Sequence, residues 1–572
     1  MGARQSMACI ECEYDAVFEV RRMKDRLATW ALLLLATILL QWLGGAYSAG
    51  WGGHPDEPAH VMTGLMVRDY LAAKCPWPPM RFAEQYYVHY PKVASGHWPP
   101  FFYLASALWM LLTGPARVSL LLFMAVIGAS IAAFVYEFLR GEVGRRTALL
   151  FALLTTTIPL MQQSVSSVMS DGLVALLCLA AVWFYARYLE SERFGSALMF
   201  GALAGLALIT KGTGVVLALV PPLAVAAGRR WGLPRKLSFW SPALMVVAVA
   251  GPWYAYQFAA FPDTSIAWAG IGKAREGGTV DHIMTPFKAV GLPLMCLAAI
   301  GLVGRWFRAA TPRWAVLGAL ALASSVMHCW MHAVKEPRHM LMAVPAVLGL
   351  AAAGTQIIAV CRGPFSSLPI AGKRLGGMIV VLLAHFAATF EIPLCPPAAF
   401  RDAANLVLSR TQAGTDRVLI SSDASGEGDL IVELAIREKR PGHVVLRAFK
   451  TFAQADWNGA DYRLLFSTPA EMRAELDRLD VGLLVMDSRQ SSEQLPHHAV
   501  LKAMIAGSRD AWPLVGSFTS ATQARQVSVY ERAGGMRRAR SPIEVPVRQT
   551  LERTLRETLG RLPGGVSPGT GK

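Results

Sequence analysis

The sequence predicts a polytopic α-helical membrane protein of about eleven spans, followed by a small C-terminal α/β domain on the non-cytoplasmic side. Three observations predict it. The chain of 572 residues is 54% hydrophobic and 16% charged, and its apolar residues come in repeated blocks that a soluble protein could not keep out of water. Cation clusters recur in every second connection between those blocks. From about residue 400 the composition turns polar and alternates strand-like with helix-like segments.

The first block, TWALLLLATILLQWLGGAY at about 28–47, covers ~30 Å of hydrocarbon at ~1.5 Å per residue. The segment before it, 1–27, mixes acids with bases, and the apolar stretch exceeds a signal core and lacks a small-residue cleavage site, so it reads as a retained span behind a cytoplasmic tail. Further blocks lie at about 118–139, 147–161, 171–189, 196–209, 212–228, 238–257, 286–304, 314–332, 340–361 and 376–392. Two of them are shorter than ~17 residues, which leaves a re-entrant hairpin open as an alternative for one pair.

A net charge of +16 invites nucleic acid as a partner, but the charge follows topology. Clusters at Arg21 to Arg26, Arg140 to Arg146, Arg187 and Arg193, Arg229 to Lys236, Arg305 to Arg313, and Arg362 to Arg374 fall in alternate loops, as the positive-inside rule requires. Those loops are expected in the cytoplasm of a plasma-membrane protein. The intervening loops and everything after about 392 are expected outside.

Polar residues against span ends gather on that outer side. HPDEPAH brings Asp56 and Glu57, VSSVMSDG brings Asp171, ITKGTG brings Lys211, and MHAVKEPRHM brings Lys335, Glu336 and Arg338. A charge at a membrane boundary costs a few kcal/mol unless paired or wet, so acids and bases at one depth imply a shared polar cavity. Plainer readings stand beside this: Asp56 and Asp171 as helix caps, Lys211 and Arg338 as snorkelling anchors. The outer loop of 48–117 is too long for a connector. Pro58 opens an amphipathic helix with Val61, Met62, Leu65 and Met66 on one face, expected on the membrane surface, and the segment through WPPFFYLASALWMLL suits the interface. His328 and His332, at i and i+4, with His97 and His339 on the same side, permit a metal, though packing explains them as well. Eight cysteines are scattered; Cys9-x-x-Cys12 lacks a second pair, and Cys75 and Cys395 both face outward, where pairing is open to them.

The order and sidedness of these motifs resemble the membrane-embedded glycosyltransferases with lipid-phosphate sugar donors, the GT-C fold, and within it the protein O-mannosyltransferases and the lipid A aminoarabinose and galacturonic acid transferases. The resemblance rests on Asp56 and Glu57 after the first span, Trp98 to Tyr103 before Arg117, SDG around Asp171, T-K-G-T-G around Lys211 and E-P-R-H around Arg338, and covers about 28–392. It implies inverting transfer from a polyprenyl-phosphate sugar to a lipid, glycan or protein acceptor, with Asp56 as general base and Glu57 as its secondary candidate. Lys211 and Arg338 would meet the donor phosphate, with Asp171, His97, Lys335 and Glu336 in support, and neither a metal nor another cofactor is implied. His339, His97 and Trp98 depart from the family pattern.

In the outer region, 393–535, DRVLISSD, VGLLVMD and RQVSVYER read as strands, and GDLIVELAIREK and TPAEMRAELDRL as helices, the second opened by Thr468 with Glu471 at capping-box spacing. Gly426-Glu427-Gly428 reads as a turn rather than a phosphate loop. In the basic tail, 536–572, Val547, Leu551, Leu555, Leu559 and Leu562 make a helical stripe, or the tail is disordered. The rival function is a transporter or flippase of a lipid-linked sugar, which would ask for ionisable groups near mid-membrane that these spans scarcely offer.

Overall fold

The computed structural model describes residues 2–94, 96, 98–260, 288–306, 310–331, 336–360, 370–397, 399–413, 416–454, 462–520, 525–534, 543–547 and 553–557. Among the described residues, each expected apolar block falls mainly on helix, from Gly2–Leu43 to Ile370–Ala388. Among the described residues, Met23–Leu43, Arg117–Leu139, Ser170–Ser191 and Leu237–Ala259 are long and apolar enough to cross a membrane. The pair Arg145–Thr157 and Pro159–Val165, bent by 63°, makes a fifth. Ile158 causes that break: as the residue before a proline it is driven to extended backbone, at φ −64° and ψ 126°. The remaining blocks form shorter apolar helices, so length alone counts four or five crossings where hydropathy expects about eleven.

Small residues let these helices approach closely. A Cβ at Gly201 would lie 2.6 Å from the Pro242 backbone, and one at Gly205 would lie 2.7 Å from Val249, so Phe194–Leu208 nests against Leu237–Ala260. Gly301 and Gly354 likewise seat Leu292–Trp306 on Val344–Val360, each facing a backbone carbonyl of the other helix. Ion pairs such as Arg26–Glu137 (3.0 Å), Arg140–Glu137 (3.1 Å), Arg145–Asp25 (3.4 Å) and Arg313–Glu190 (3.6 Å) join the loops that carry the cation clusters. The candidate site lies at the other ends of these helices.

Between the first and second apolar blocks run three helices, Glu57–Ala72, Pro79–His89 and Phe101–Thr113. The first corrects the surface-helix expectation: Glu57 to Met66 are all buried, not one face of them. Phe101–Thr113 covers one side, where a Cβ at Gly64 would sit 2.7 Å from the Ser106 hydroxyl. The helix Ala424–Arg437 covers another, with Gly428 so near Pro58 that an added Cβ would stand 2.6 Å from its Cβ.

The C-terminal part is built on strands β1 Arg417–Ser421, β2 Val444–Arg447, β3 Ala453–Gln454, β4 Arg463–Leu464, β5 Val481–Asp487, β6 Leu514–Ser520 and β7 Arg525–Glu531. Five form a sheet in the order β2-β1-β5-β7-β6, parallel among β2, β1 and β5 and antiparallel beyond, with β3 and β4 paired apart. Apolar runs such as Val418 to Ile420 and Leu483 to Val485 are fully buried, as a sheet covered on both faces requires. The expected helices lie over Ala424–Arg437 and Pro469–Arg478, and Thr468 and Glu471 close the expected capping box.

Two further expectations are corrected, and one open question is answered. Gly426 to Gly428 form no turn; they lie in the first turn of Ala424–Arg437, capped by Asp423, whose side chain accepts from Gly426 N at 2.8 Å. The tail's helical stripe is replaced by a hairpin of β8 Ile543–Val547 and β9 Arg553–Glu557, where Val545 faces Leu555. Ile543, Val545 and Val547 alternate at the period of a strand, and their branched side chains favour it; Leu551, Leu559 and Leu562 lie outside the described residues. Cys75 and Cys395 are both free thiols.

Close packing at Gly354 gives a stability test. Gly354→Ala forces a Cβ into the Leu297 carbonyl and is expected to cost about 1–3 kcal/mol. Gly377→Ala, inside the helix Ile370–Ala388, meets nothing within 4 Å and is expected to leave thermal unfolding in detergent unlowered or to raise it slightly.

Candidate active site

The segment HPDEP leads into the helix Glu57–Ala72 with Pro58 in its first turn. Asp56 stands at the N-cap position, yet its side chain makes no cap hydrogen bond. It turns instead to Arg338, whose Nη2 donates to Asp56 Oδ2 at 3.0 Å across 282 residues of chain. Arg338 sits on the short 3-10 turn Pro337–Met340 and also pairs with Glu336 through Nε. His54 bridges the group, with Nδ1 3.6 Å from Asp56 Oδ2 and Nε2 3.5 Å from Glu336 Oε2.

A second pair lies beside the first. Asp171, in the first turn of Ser170–Ser191, accepts from Lys211 Nζ at 2.6 Å. The TKGTG sequence explains how Lys211 gets there: the chain leaves Phe194–Leu208 and folds straight back into the 3-10 turn Gly212–Ala218. A Cβ at Gly214 would lie 2.6 Å from the Ala207 backbone, so this return needs glycine. Phe101 N donates to Ile209 O at 2.9 Å and ties the Trp98–Tyr103 segment to the same turn.

Between the two pairs stands His60, one helical turn after Asp56 and 4% exposed. Its Nδ1 is 2.9 Å from the Tyr103 hydroxyl, and its ring stacks on Trp98 at 4.3 Å between centroids. Burial lowers its pKa to about 3, with Lys211 and Arg338 acting the same way against Asp56 and Asp171. His60 is therefore neutral at physiological pH. For Asp56, burial pushes the carboxyl up, but the opposing influence of His60, Arg338 and His54 prevails and holds it below the usual range. Of these three groups, Arg338 carries the permanent charge. Burial also works against the Arg338 cation, and Asp171, Asp56 and Glu336 together raise its pKa.

Glu57 faces the other way. It is 1% exposed, and its Oε1 accepts from Val168 N at 3.1 Å and from Arg117 Nη1 at 3.4 Å. Burial raises its pKa to about 7, against the pull of Arg117 and the Val168 amide. Arg117 in turn donates from Nε to Ala46 O at 2.7 Å and lies 4.9 Å from the Trp51 ring centroid. This buried group ties the chain on both sides of Asp56 to the turn before Ser170–Ser191.

Of the residues singled out in the sequence, the structure gathers Asp56, Asp171, Lys211, Glu336 and Arg338 into one polar cluster and turns Glu57 to its flank. His97, Lys335 and His332 lie outside the described residues. His328 is buried, and among the described residues no three His, Cys, Asp or Glu side chains gather as a metal site. Sequence reasoning passed over His54 and His60, and it named Tyr103 only as the end of the Trp98 to Tyr103 motif. The i, i+4 spacing of Asp56 and His60 on a helix opened by Pro58 was the available signal.

Glu57 makes folding pH-dependent. The folded protein holds this proton to about pH 7, whereas the unfolded chain releases it near 4.5, so the folded state binds more protons in between and stability falls as pH rises through that window. The loss is on the order of 3 kcal/mol. Glu57→Gln is expected to flatten the pH 5 to 8 dependence of thermal unfolding, read as a difference in slope between variant and wild type.

A family model described as dolichyl-phosphate-mannose-protein mannosyltransferase matches residues 97–256, a stretch holding Asp171 and Lys211 but neither Asp56 nor Arg338. Among solved structures, ArnT from Cupriavidus metallidurans in the apo state is similar at a TM-score of 0.56 and 16% identity, covering 88% of this chain and 98% of that one. The same protein bound to undecaprenyl phosphate gives the same values. The Archaeoglobus fulgidus oligosaccharyltransferase in the apo form is similar at a TM-score of 0.53 and 13% identity, covering 87% of this chain and 74% of that one. No curated protein matches the sequence. At such identities the likeness establishes the fold, while the family match speaks for the central membrane segment. Taken together, they give this chain the fold of these membrane proteins and, over residues 97–256, a likeness to the mannosyltransferase family.

Proposed function

We propose that the protein is an inverting transferase that moves a sugar from a polyprenyl-phosphate donor to a lipid, glycan or protein acceptor on the outer face of the plasma membrane. The observation that carries this reading is the Asp56–Arg338 pair beside the Asp171–Lys211 pair, which puts a proton acceptor and two cations in one place. ArnT in complex with undecaprenyl phosphate, and the Archaeoglobus oligosaccharyltransferase tethered to an acceptor peptide, support the classes of donor and acceptor.

In this reading about eleven segments cross the bilayer within 28–392. The tail 1–27 is cytoplasmic, while the 48–117 loop and the 393–535 domain, followed by the basic tail 536–572, lie outside. The donor's prenyl chain stays in lipid as its phosphate meets the cluster. Asp56 removes the proton from the acceptor's nucleophilic atom as that atom bonds to the anomeric carbon. The bond from that carbon to the phosphate oxygen breaks on the opposite face, and polyprenyl phosphate departs with the electron pair. Lys211 and Arg338 stabilise the negative charge that the phosphate gains, and no metal or other cofactor is needed for that task. Asp171 and Glu336 hold these cations in place, with His97 and Lys335 as further support. Glu57 sets the position of its neighbour through Arg117 and Val168.

Two predictions test the assignment. Asp56→Asn, in purified protein that still binds donor, is expected to lower sugar transfer by ~10²–10⁴-fold. Retained transfer would remove Asp56 as base, and lipid-linked sugar crossing the membrane without glycosyl product would favour the flippase. The second concerns pH: Asp56 stays ionised below the usual carboxylate range, so activity persists into acid and is lost only as pH falls through its depressed pKa. Arg338→Gln removes the depressing charge, and the acid limb of kcat/KM is expected to move to higher pH.

A further inference from the structure

We propose that Asp429 of the C-terminal α/β unit is a positioning residue for Asp56, which makes that unit a working part of the transfer site. The inference rests on Asp56 acting as the base. The first two turns of Ala424–Arg437 grip the segment that presents Asp56 from both sides. Upstream, Asp429 Oδ1 accepts from Trp51 N at 2.9 Å. Gly50 packs so tightly against the Asp429 carboxylate that a Cβ there would overlap it, and a Cβ at Gly52 would lie 3.3 Å from Ser425 O. Downstream, Gly428 packs on Pro58, and Lys92 Nζ donates to Ala424 O at 3.0 Å.

Asp56 stands between these two grips, five residues after Trp51 and two before Pro58. Trp51 is fully buried under the Arg117 guanidinium, and Arg117 contacts Glu57, so the Trp51 amide is joined to the residue beside the base by direct contacts. Burial raises the Asp429 carboxyl, and the Trp51 N–H opposes that shift. Arg525, Arg117 and Arg401 act in the same sense as that N–H, but the bond to Trp51 N itself asks only for an acceptor oxygen of the right reach, which an asparagine also supplies.

The C-terminal unit has further attachments that do not involve Asp429. Arg440 Nε donates to Asp69 Oδ2 at 2.6 Å, the Tyr90 hydroxyl to Glu438 at 2.7 Å, and Gly442 N to the Tyr90 hydroxyl at 2.8 Å. His89 Nδ1 lies 2.9 Å from Gly442 O. Removing Asp429 therefore loosens the 49–57 segment while the unit stays docked.

The test compares Asp429→Ala with Asp429→Asn in the full chain, using kinetics and hydrogen exchange. Asp429→Ala is expected to lower kcat about ten- to a hundredfold with little change in donor KM, as a misplaced catalytic group does. It is also expected to speed exchange of residues 49–57 and leave residues 211–216 as in the wild type. Asp429→Asn is expected to restore both readouts. Wild-type kcat in Asp429→Ala, equal damage in both variants, or unchanged exchange over 49–57 would each overturn the proposal. Asp56→Asn run alongside separates the two ideas: if it transfers sugar normally, the base assignment fails, and the exchange comparison still reports on Asp429 as the holder of the segment.

Discussion

The Asp56–Arg338 ion pair is the interaction on which the rest of this architecture depends. A carboxylate before the second helix and a guanidinium 282 residues later meet at 3.0 Å only if the intervening helices bring their ends together. The glycine contacts between Phe194–Leu208 and Leu237–Ala260, and between Leu292–Trp306 and Val344–Val360, are what close those helices up. The pair also bears on ionisation, because Arg338 helps to hold down the pKa of a half-buried carboxyl that burial by itself raises.

Two adjacent acids divide the work by environment. Asp56 keeps a face toward Arg338 and the polar cluster, while Glu57 points into the protein and is held by Arg117 and the Val168 amide. One residue along a helix is a rotation of ~100°, enough to send neighbouring carboxyls to different partners. His60, a further turn on, returns to the side of Asp56 and contributes a ring that stays uncharged among two acids and two cations.

Much of this was legible in the sequence, for a physical reason. Apolar blocks, alternating cation clusters and the strand and helix patterns after residue 400 are local signals, and among the described residues each block became mainly helix. Asp56, Asp171, Lys211 and Arg338 were visible because charge beside apolar sequence is costly and rarely idle. What was not legible depends on distant chain. Glu57 looks like Asp56 until Arg117 and Val168 are placed, Gly426 to Gly428 look like a turn until Pro58 is packed against them, and nothing around Asp429 announces a bond to Trp51 N. The surface-helix reading of Glu57–Ala72 failed likewise, since local periodicity carries no sign of the Ala424–Arg437 helix that covers it.

The described ion pairs of the membrane region gather at its two ends, Arg26, Glu137 and their neighbours at one and the Asp56 cluster at the other. Such a distribution leaves few charges to travel through the voltage drop across a bilayer, where one elementary charge is worth ~2.3 kcal/mol per 100 mV. Under the proposed reading, turnover draws on the bond energy of the activated donor rather than on an ion gradient.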